Sequence, residues 1–456
     1  MQERILPCKE NVDKRSGGTV KFQPFMFLGF LVLAVSTAAG QEQTELRKEV
    51  TQLRHELDSL KISHQADRTT QQDEVDEREE NLDRRLQELE KKIDAVSRAT
   101  APIVLNPRTT AFINFAARGD SKRVYDPADP SKEVSNRPYL RTVELELRNP
   151  VDPYAEAIAI ISIENQAGKE FAIDAEEAYG LIKRLPLLEE APLGLKMKIG
   201  KYRAPIGVNN KIHLHDLPWT TRPLIISQYL GTEHGNFFES GFNPTGIDLD
   251  FFLPNPIPKT TLEMNLGVVR AGELGLSGGV GGSQPAYVSH INFSKDWENA
   301  HVLVLGLSAY EEHGAATTRL YGIDLTYKWA PLEERESHSF VAGGELLAAR
   351  HTYTSPAVGE SSSSPFGWYG YMQLQTSYWL YLGIRYDWLK DPVNDQLVTR
   401  SLAAYASYYT TEFLRFRLGV EHRWSDLPIQ NNITSGVFEV NVVFGSHPTE
   451  PYWVNK

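Results

Sequence analysis

Two groups of residues in this chain carry chemistry at a recognisable spacing. The first is the run His213-Leu214-His215-Asp216-Leu217-Pro218-Trp219, followed by Glu233-His234. In an extended segment His213 and His215 project to the same side. With Asp216 and a third imidazole, His234, they offer the nitrogen and oxygen donors that Zn2+ takes in tetrahedral sites. The same run also reads as a loop folded into a pore, with Pro218 and Trp219 as its rigid, packed part, because a two-residue His spacing without a scaffold arises by chance. The second group places ionic residues at alternate positions: Glu144, Glu146 and Arg148; Lys196 and Lys198; Asp248 and Asp250; Glu263; Asp324 and Lys328; Arg385 and Asp387; Arg415, Arg417, Glu421 and Arg423. Arg415, Arg417 and Arg423 share one face of one strand, as a basic ladder or as partners of acids on neighbouring strands. Nothing points to an enzyme, since no Ser announces a nucleophile with a His base and an orienting acid. Cys8 is the only cysteine, which excludes a disulfide framework and a thiolate metal site. No cofactor is expected, zinc at the histidine run being the one alternative.

The elements that would position these groups fall into three parts. Lys9, Lys14, Arg15 and Lys21 precede the apolar run 25–35, and small residues follow at 36–40. This is the pattern of a secretory signal peptide over residues 1–40; the alternative, an uncleaved anchor, needs a longer apolar core than about eleven residues. Residues 41–100 contain no Gly and no Pro and are rich in both charges. Leu46, Val50, Leu53, Leu57 and Leu60 follow a 4-3 spacing, and Leu82, Leu86, Leu89, Ile93 and Val96 repeat it one residue out of register. That predicts a coiled-coil helix with a weak joint across 65–80. Its apolar stripe calls for partner helices, most simply copies of itself, or else the segment is a lone solvated spacer. Ala101-Pro102 ends the helix, and 101–107 is a linker.

From residue 108 to 444 the period becomes two. Val143, Leu145 and Leu147 alternate with Glu144, Glu146 and Arg148, and Leu414, Phe416, Leu418 and Val420 alternate with Arg415, Arg417, Gly419 and Glu421. A soluble sandwich alternates as well, with its apolar face inward. Long strands, aromatics toward strand ends (Trp329, Trp388, Trp424, Trp368, Tyr369, Tyr371) and short turns opposite long loops favour a membrane barrel instead. The expected fold class is all-β, a transmembrane antiparallel β-barrel of about sixteen strands preceded by the helical segment. Two connections fit poorly: 165–169 is short where a long loop belongs, and 180–192 is long where a turn belongs. An even strand count leaves both barrel ends in the periplasm, with the coiled coil and a C-terminal tail over 445–456.

With the apolar partners in lipid, the ionic residues named above line a wet lumen able to filter solutes. The acidic balance of the chain, 47 Lys plus Arg against 59 Asp plus Glu, argues against nucleic acid as a partner. The segment Leu195-Lys196-Met197-Lys198-Ile199-Gly200-Lys201-Tyr202-Arg203-Ala204-Pro205-Ile206-Gly207 resembles the G-K-[FY]-[KR]-x-P-[FI]-G strand of phosphate-selective porins of the O/P type. The 213–219 run and the ending Val443 to Pro448, continuing to Lys456, are similar to a subgroup described as zinc-regulated, TonB-dependent-receptor-like barrels. The resemblance implies diffusion or uptake through a bacterial outer-membrane barrel, commonly a trimer. The chain departs from the anion-selective members in its acidity and its lack of a Lys cluster in the long loop. It also has no large N-terminal plug of the kind found in TonB-dependent receptors. The expectation is therefore a porin passing small hydrophilic solutes or ions. Its partners would be outer-membrane lipids, two further copies joined through the coiled coil, and peptidoglycan. The alternative is a zinc-linked uptake receptor using His213, His215, Asp216 and His234.

Overall fold

The computed structural model describes residues 48–59 and 85 and, between 107 and 445, all but 126–132, 167–169, 186–187, 189–190, 232–240, 278–283, 299, 315, 332, 335–336, 356–358 and 428–430. The chain divides into two compact units, Met1–Ile103 and Val104–Lys456. In the first, residues 48–59 are helical. Val50, Leu53 and Leu57, three members of the 4-3 stripe, are buried there. The rest of the helix expected over 41–100, the signal peptide over 1–40, most of the linker and the tail beyond residue 445 lie outside the described residues.

The second unit is one antiparallel sheet that closes on itself. Its strands are β1 (Arg108–Asp120), β2 (Pro138–Pro150), β3 (Ala155–Gln166), β4 (Glu170–Ile182), β5 (Lys196–Lys201), β6 (Thr245–Phe252), β7 (Thr260–Val269), β8 (Ala286–Trp297), β9 (His301–Glu312), β10 (Ala316–Trp329), β11 (Ser339–Ser355), β12 (Gly359–Ser363), β13 (Phe366–Gln375), β14 (Leu380–Lys390), β15 (Val398–Thr411), β16 (Leu414–Ser425) and β17 (Ile433–Gly445). Strands adjacent in sequence pair, and β1 pairs with both β2 and β17, so no spanning strand is left with a free edge. Closure gives the wall's backbone donors and acceptors partners within the sheet, which hydrocarbon could not supply. β12 pairs with the end of β11, His351–Ser355, while β13 takes its place beside Ser339–Ala348. The wall thus has sixteen strands, as the period predicts, plus a short hairpin extension. The Ser-rich β12 carries no alternation and gives no signal of its own.

Side chains alternate as the sequence predicts. On β16, Arg415, Arg417, Glu421 and Arg423 are buried inside, whereas Leu418, Val420 and Trp424 are exposed outside. On β10, Tyr321, Ile323 and Leu325 face out around the buried Asp324. Leu266, Leu307, Leu382, Ile384 and Leu402 continue this exposed apolar band around the wall. In water such a band would forgo roughly 25 cal/mol for each Å2 left uncovered, so it calls for lipid. Aromatic pairs edge the band at both ends. Phe366–Trp388 (5.7 Å) and Trp368–Tyr386 (5.5 Å) lie toward the long loops, and Trp297–His301 (5.2 Å) and Tyr327–Phe340 (6.3 Å) toward the short turns. Tyr369 and Tyr371 are the exceptions to the expected girdle: alternation turns them inward, and Tyr369 is fully buried. β5 is short, six residues over Lys196–Lys201. The Pro192–Gly194 turn, with Leu193 and Gly194 at φ 56° and 68°, starts it late.

Candidate functional site

After β5 the chain leaves the wall and enters the barrel, returning only at β6. The motif that carries the family resemblance marks this departure. Gly200 and Gly207 have φ of 138° and 63°, a backbone region that favours glycine, and a side chain at Gly207 would run into the Glu345 carboxylate. The wall then holds the segment by its backbone. Ser308 Oγ accepts from Gly207 N (2.9 Å), and Glu345 Oε1 accepts from Val208 N (3.0 Å), Asn209 N (2.7 Å) and Tyr369 Oη (2.8 Å). Asn210 ties the two ends of the segment together: its Nδ2 donates to Ala204 O (2.8 Å) and Phe242 O (3.0 Å), and its Oδ1 accepts from Phe242 N (2.8 Å). Arg222, completely buried, donates to Asn209 O (2.9 Å) and Ile212 O (3.0 Å) from inside the fold.

The segment carries its own apolar core. Ile206, Leu217, Trp219, Ile225, Ile226, Tyr229, Leu230 and Phe242 pack into one cluster with Val269, Leu274, Val288, Tyr310, Leu347 and Leu389 of the barrel. Trp219 sits edge-on to Tyr371 (4.8 Å), Tyr369 (6.0 Å) and Tyr405 (6.4 Å), with the Arg385 guanidinium 5.2 Å from its ring. Inward Gly419 leaves the room that Thr220 occupies. Contacts reach the wall all the way round, from Phe112 of β1 stacked 3.7 Å over His215, through Tyr310 of β9 against Phe242, to Asn441 of β17 bonded to His215 O. Pro218 and Trp219 are thus the packed part of a segment folded into the pore.

This packing changes what the ionic residues do. Glu144, Glu146, Asp248, Asp324, Arg385, Asp387, Arg415, Arg417, Glu421 and Arg423 are buried on the inward face. Arg148, Lys198, Asp250, Glu263 and Lys328 are half-buried there, and Lys196 is exposed at the turn end of β5. Several of them grip the segment where the sequence suggested a wet wall. Arg415 Nη2 donates to His215 O (2.8 Å), Arg417 Nη1 to Trp219 O (2.8 Å), and Arg385 to Thr221 O; Asp387 Oδ1 accepts from Leu224 N (3.0 Å). The three strand arginines proposed as a ladder are ion-paired: Arg415 and Arg417 with Glu439 (2.6 and 3.5 Å), Arg423 with Glu421 (2.8 Å).

The histidine run lies against the neighbouring strands β1, β2 and β4. His215 Nδ1 lies 2.8 Å from Glu144 Oε2, and His213 Nδ1 lies 3.6 Å from the same oxygen and 3.3 Å from Glu176 Oε1. Asp216 contacts His215 Nε2 at 3.4 Å, while His234 lies outside the described residues. Burial opposes a charge on His215, but Asp216 and Glu144 outweigh it and push its pKa up to about 9. Glu176, Glu177, Glu345, Asn210 and Arg222 escaped the sequence reading. The available signal was compositional: a long connection this rich in Ile, Leu and Phe is not an ordinary polar loop.

No family model matches the chain. It is 26% identical over 354 residues to an uncharacterized protein of Aquifex aeolicus (strain VF5), covering 69% of this chain and 70% of that one. Among solved structures it is similar to an anion-selective porin from Comamonas acidovorans, with 9% identity, 74% of this chain and 98% of that one covered and a TM-score of 0.47. It is also similar to the outer membrane channel DcaP of Acinetobacter baumannii, with 10% identity, 74% and 97% covered and a TM-score of 0.45. The strand pairing by itself defines the fold.

Proposed function

We propose that this chain is a porin-type channel of a bacterial outer membrane, passing small hydrophilic solutes or ions through a lumen whose passage residues 202–244 set. The observation that carries this reading is the closed sixteen-strand wall, apolar outside and ionic inside, with one segment bonded to it around its circumference. A freely open pore has no need of such a fixture, whereas a restricted one does. The resemblance of residues 195–207 to O/P-type porins supports the same reading, since its glycines permit the turn into the lumen. In this reading the helical segment over 41–100 stands in the periplasm, joining three barrels or spacing them from peptidoglycan. A metal-linked uptake receptor is the second reading, favoured by the cluster of Glu144, His213 and His215.

The test is conductance in a planar bilayer. Because Ala204 N donates to Phe242 O (3.1 Å), the ends of the segment are adjacent, and residues 208–240 can be replaced by a short Gly-Ser link. Small steps from the intact chain and larger ones from the deletion are expected, with the reversal potential under a salt gradient giving the charge preference. A deletion variant that inserts and conducts no more than the intact chain would overturn the proposal. Removing residues 41–100 should leave unit conductance intact while altering assembly or envelope attachment.

A further inference from the structure

We infer that Glu144, Glu176, His213 and His215 form a site for one divalent transition-metal ion, and that the ion clamps the inner segment to the wall. The inference rests on the proposed channel, whose inner segment the clamp would hold. Glu144 belongs to β2 and Glu176 to β4, while both histidines belong to the segment, so a shared ion would bridge the two. Three atoms converge here, Glu144 Oε2 and the Nδ1 atoms of His213 and His215, with the Glu176 carboxylate beside His213. All three are buried, and none makes a hydrogen bond of acceptable geometry. One ligand atom from each of Glu144, His213 and His215 lies within 4.8 Å of the others. Donors about 2.0–2.2 Å from a tetrahedral ion stand about 3.3–3.6 Å apart. The His213 Nδ1 separations of 3.6 Å to Glu144 Oε2 and 3.3 Å to Glu176 Oε1, the oxygen that also pairs with Arg203, match that, and the 2.8 Å between His215 Nδ1 and Glu144 needs only a small relaxation.

The far side of each ring supports the assignment. His213 Nε2 is 2.7 Å from Glu177 Oε1, and His215 Nε2 is 3.4 Å from Asp216 Oδ2. A carboxylate at one ring nitrogen fixes the tautomer that leaves the other free for a metal, and it raises the ligand's basicity. Glu144, Glu176, Glu177 and Asp216 together bring four carboxylates against two positive groups, Arg203, which pairs with Glu176, and the His215 ring before it gives up its proton to a metal. That excess suits a dication, and the mixture of imidazole and carboxylate suits zinc-like ions better than calcium or magnesium. The histidine run therefore binds through a donor set different from the one its spacing suggests. Wall carboxylates take the places given to Asp216 and His234.

The experiment is calorimetric titration of Zn2+ alone into the metal-stripped full chain in detergent, with bilayer conductance measured separately. One Zn2+ per barrel is expected. Glu177→Gln should weaken binding tenfold to a hundredfold, as removal of an outer-shell partner does, and His215→Ala and Glu144→Gln more than a hundredfold. His313→Ala, exposed and paired with Glu311, should change nothing. Heat-modified gel migration of each variant checks that the barrel is closed, and the conservative Glu144→Gln keeps the test usable if His215→Ala does not fold. No binding by the intact chain, or binding unchanged in folded Glu144→Gln and His215→Ala variants, would overturn the site. Binding as expected with chelator-insensitive conductance would overturn the clamp. Absence of any conductance bears on the channel reading and leaves the titration to judge the site.

Discussion

Replacing Trp219 with Ala should loosen the inner segment while leaving the barrel closed. The indole is 2% exposed and lies among Tyr369, Tyr371 and Tyr405 under Arg385, so the variant leaves a cavity that those four side chains, fixed to strands, can only partly fill. Large-to-small changes of this kind cost about 3–5 kcal/mol. The cost falls on docking of the segment, because every strand of the wall keeps its neighbours. At about 1.4 kcal/mol per tenfold change in an equilibrium constant, the undocked population rises by roughly two to three and a half powers of ten. In single-channel recordings that appears as frequent steps to a larger conductance that the parent protein visits rarely. Trp219→Phe, which retains an aromatic face, should lie between the parent and the Ala variant. A folded Trp219→Ala protein, confirmed by gel migration, whose open-state occupancy matches the parent would refute the claim that this packing governs passage.

Other perturbations separate the wall from its contents. Glu439→Gln weakens three ion pairs at once, to Arg141 (3.3 Å), Arg415 (2.6 Å) and Arg417 (3.5 Å), and should lower stability by about 3–5 kcal/mol in a denaturant titration from detergent. Asn210→Ala removes the staple between Ala204 and Phe242 and should make the segment a target for limited proteolysis while the strands stay protected; an unchanged digestion pattern would count against the staple. Leu418→Arg places a charge on the lipid face at a position 58% exposed, and should cost about 2–4 kcal/mol of folding into vesicles if the residue lies at mid-depth, whereas a soluble sandwich would barely register it.

The strands were legible in the sequence because a wall between lipid and lumen imposes a period of two on any chain that builds it. Leu418 and Val420 declare one face and Arg417 and Glu421 the other, whatever their partners. The two glycines of the 195–207 motif mark where the backbone leaves the wall, which their positive φ shows and the motif's spacing did not. The extra strand β12 was hidden by its polar, unalternating residues. Tyr369 and Tyr371 were misplaced in the girdle only because position near a strand end was weighed above parity.

The sequence by itself determined the sheet, the side each strand residue takes, and which residues have ligand chemistry, since all of these follow from local alternation and side-chain type. Only the tertiary structure decided what the inward residues meet. The path of residues 202–244 has no period to read, and its anchors, Glu144, Glu345, Arg415 and Arg417, become neighbours of it only once the sheet has closed. A charge on the inward face is the same to the sequence whether it meets water or a backbone carbonyl. Closure and the apolar packing of the enclosed segment choose between them.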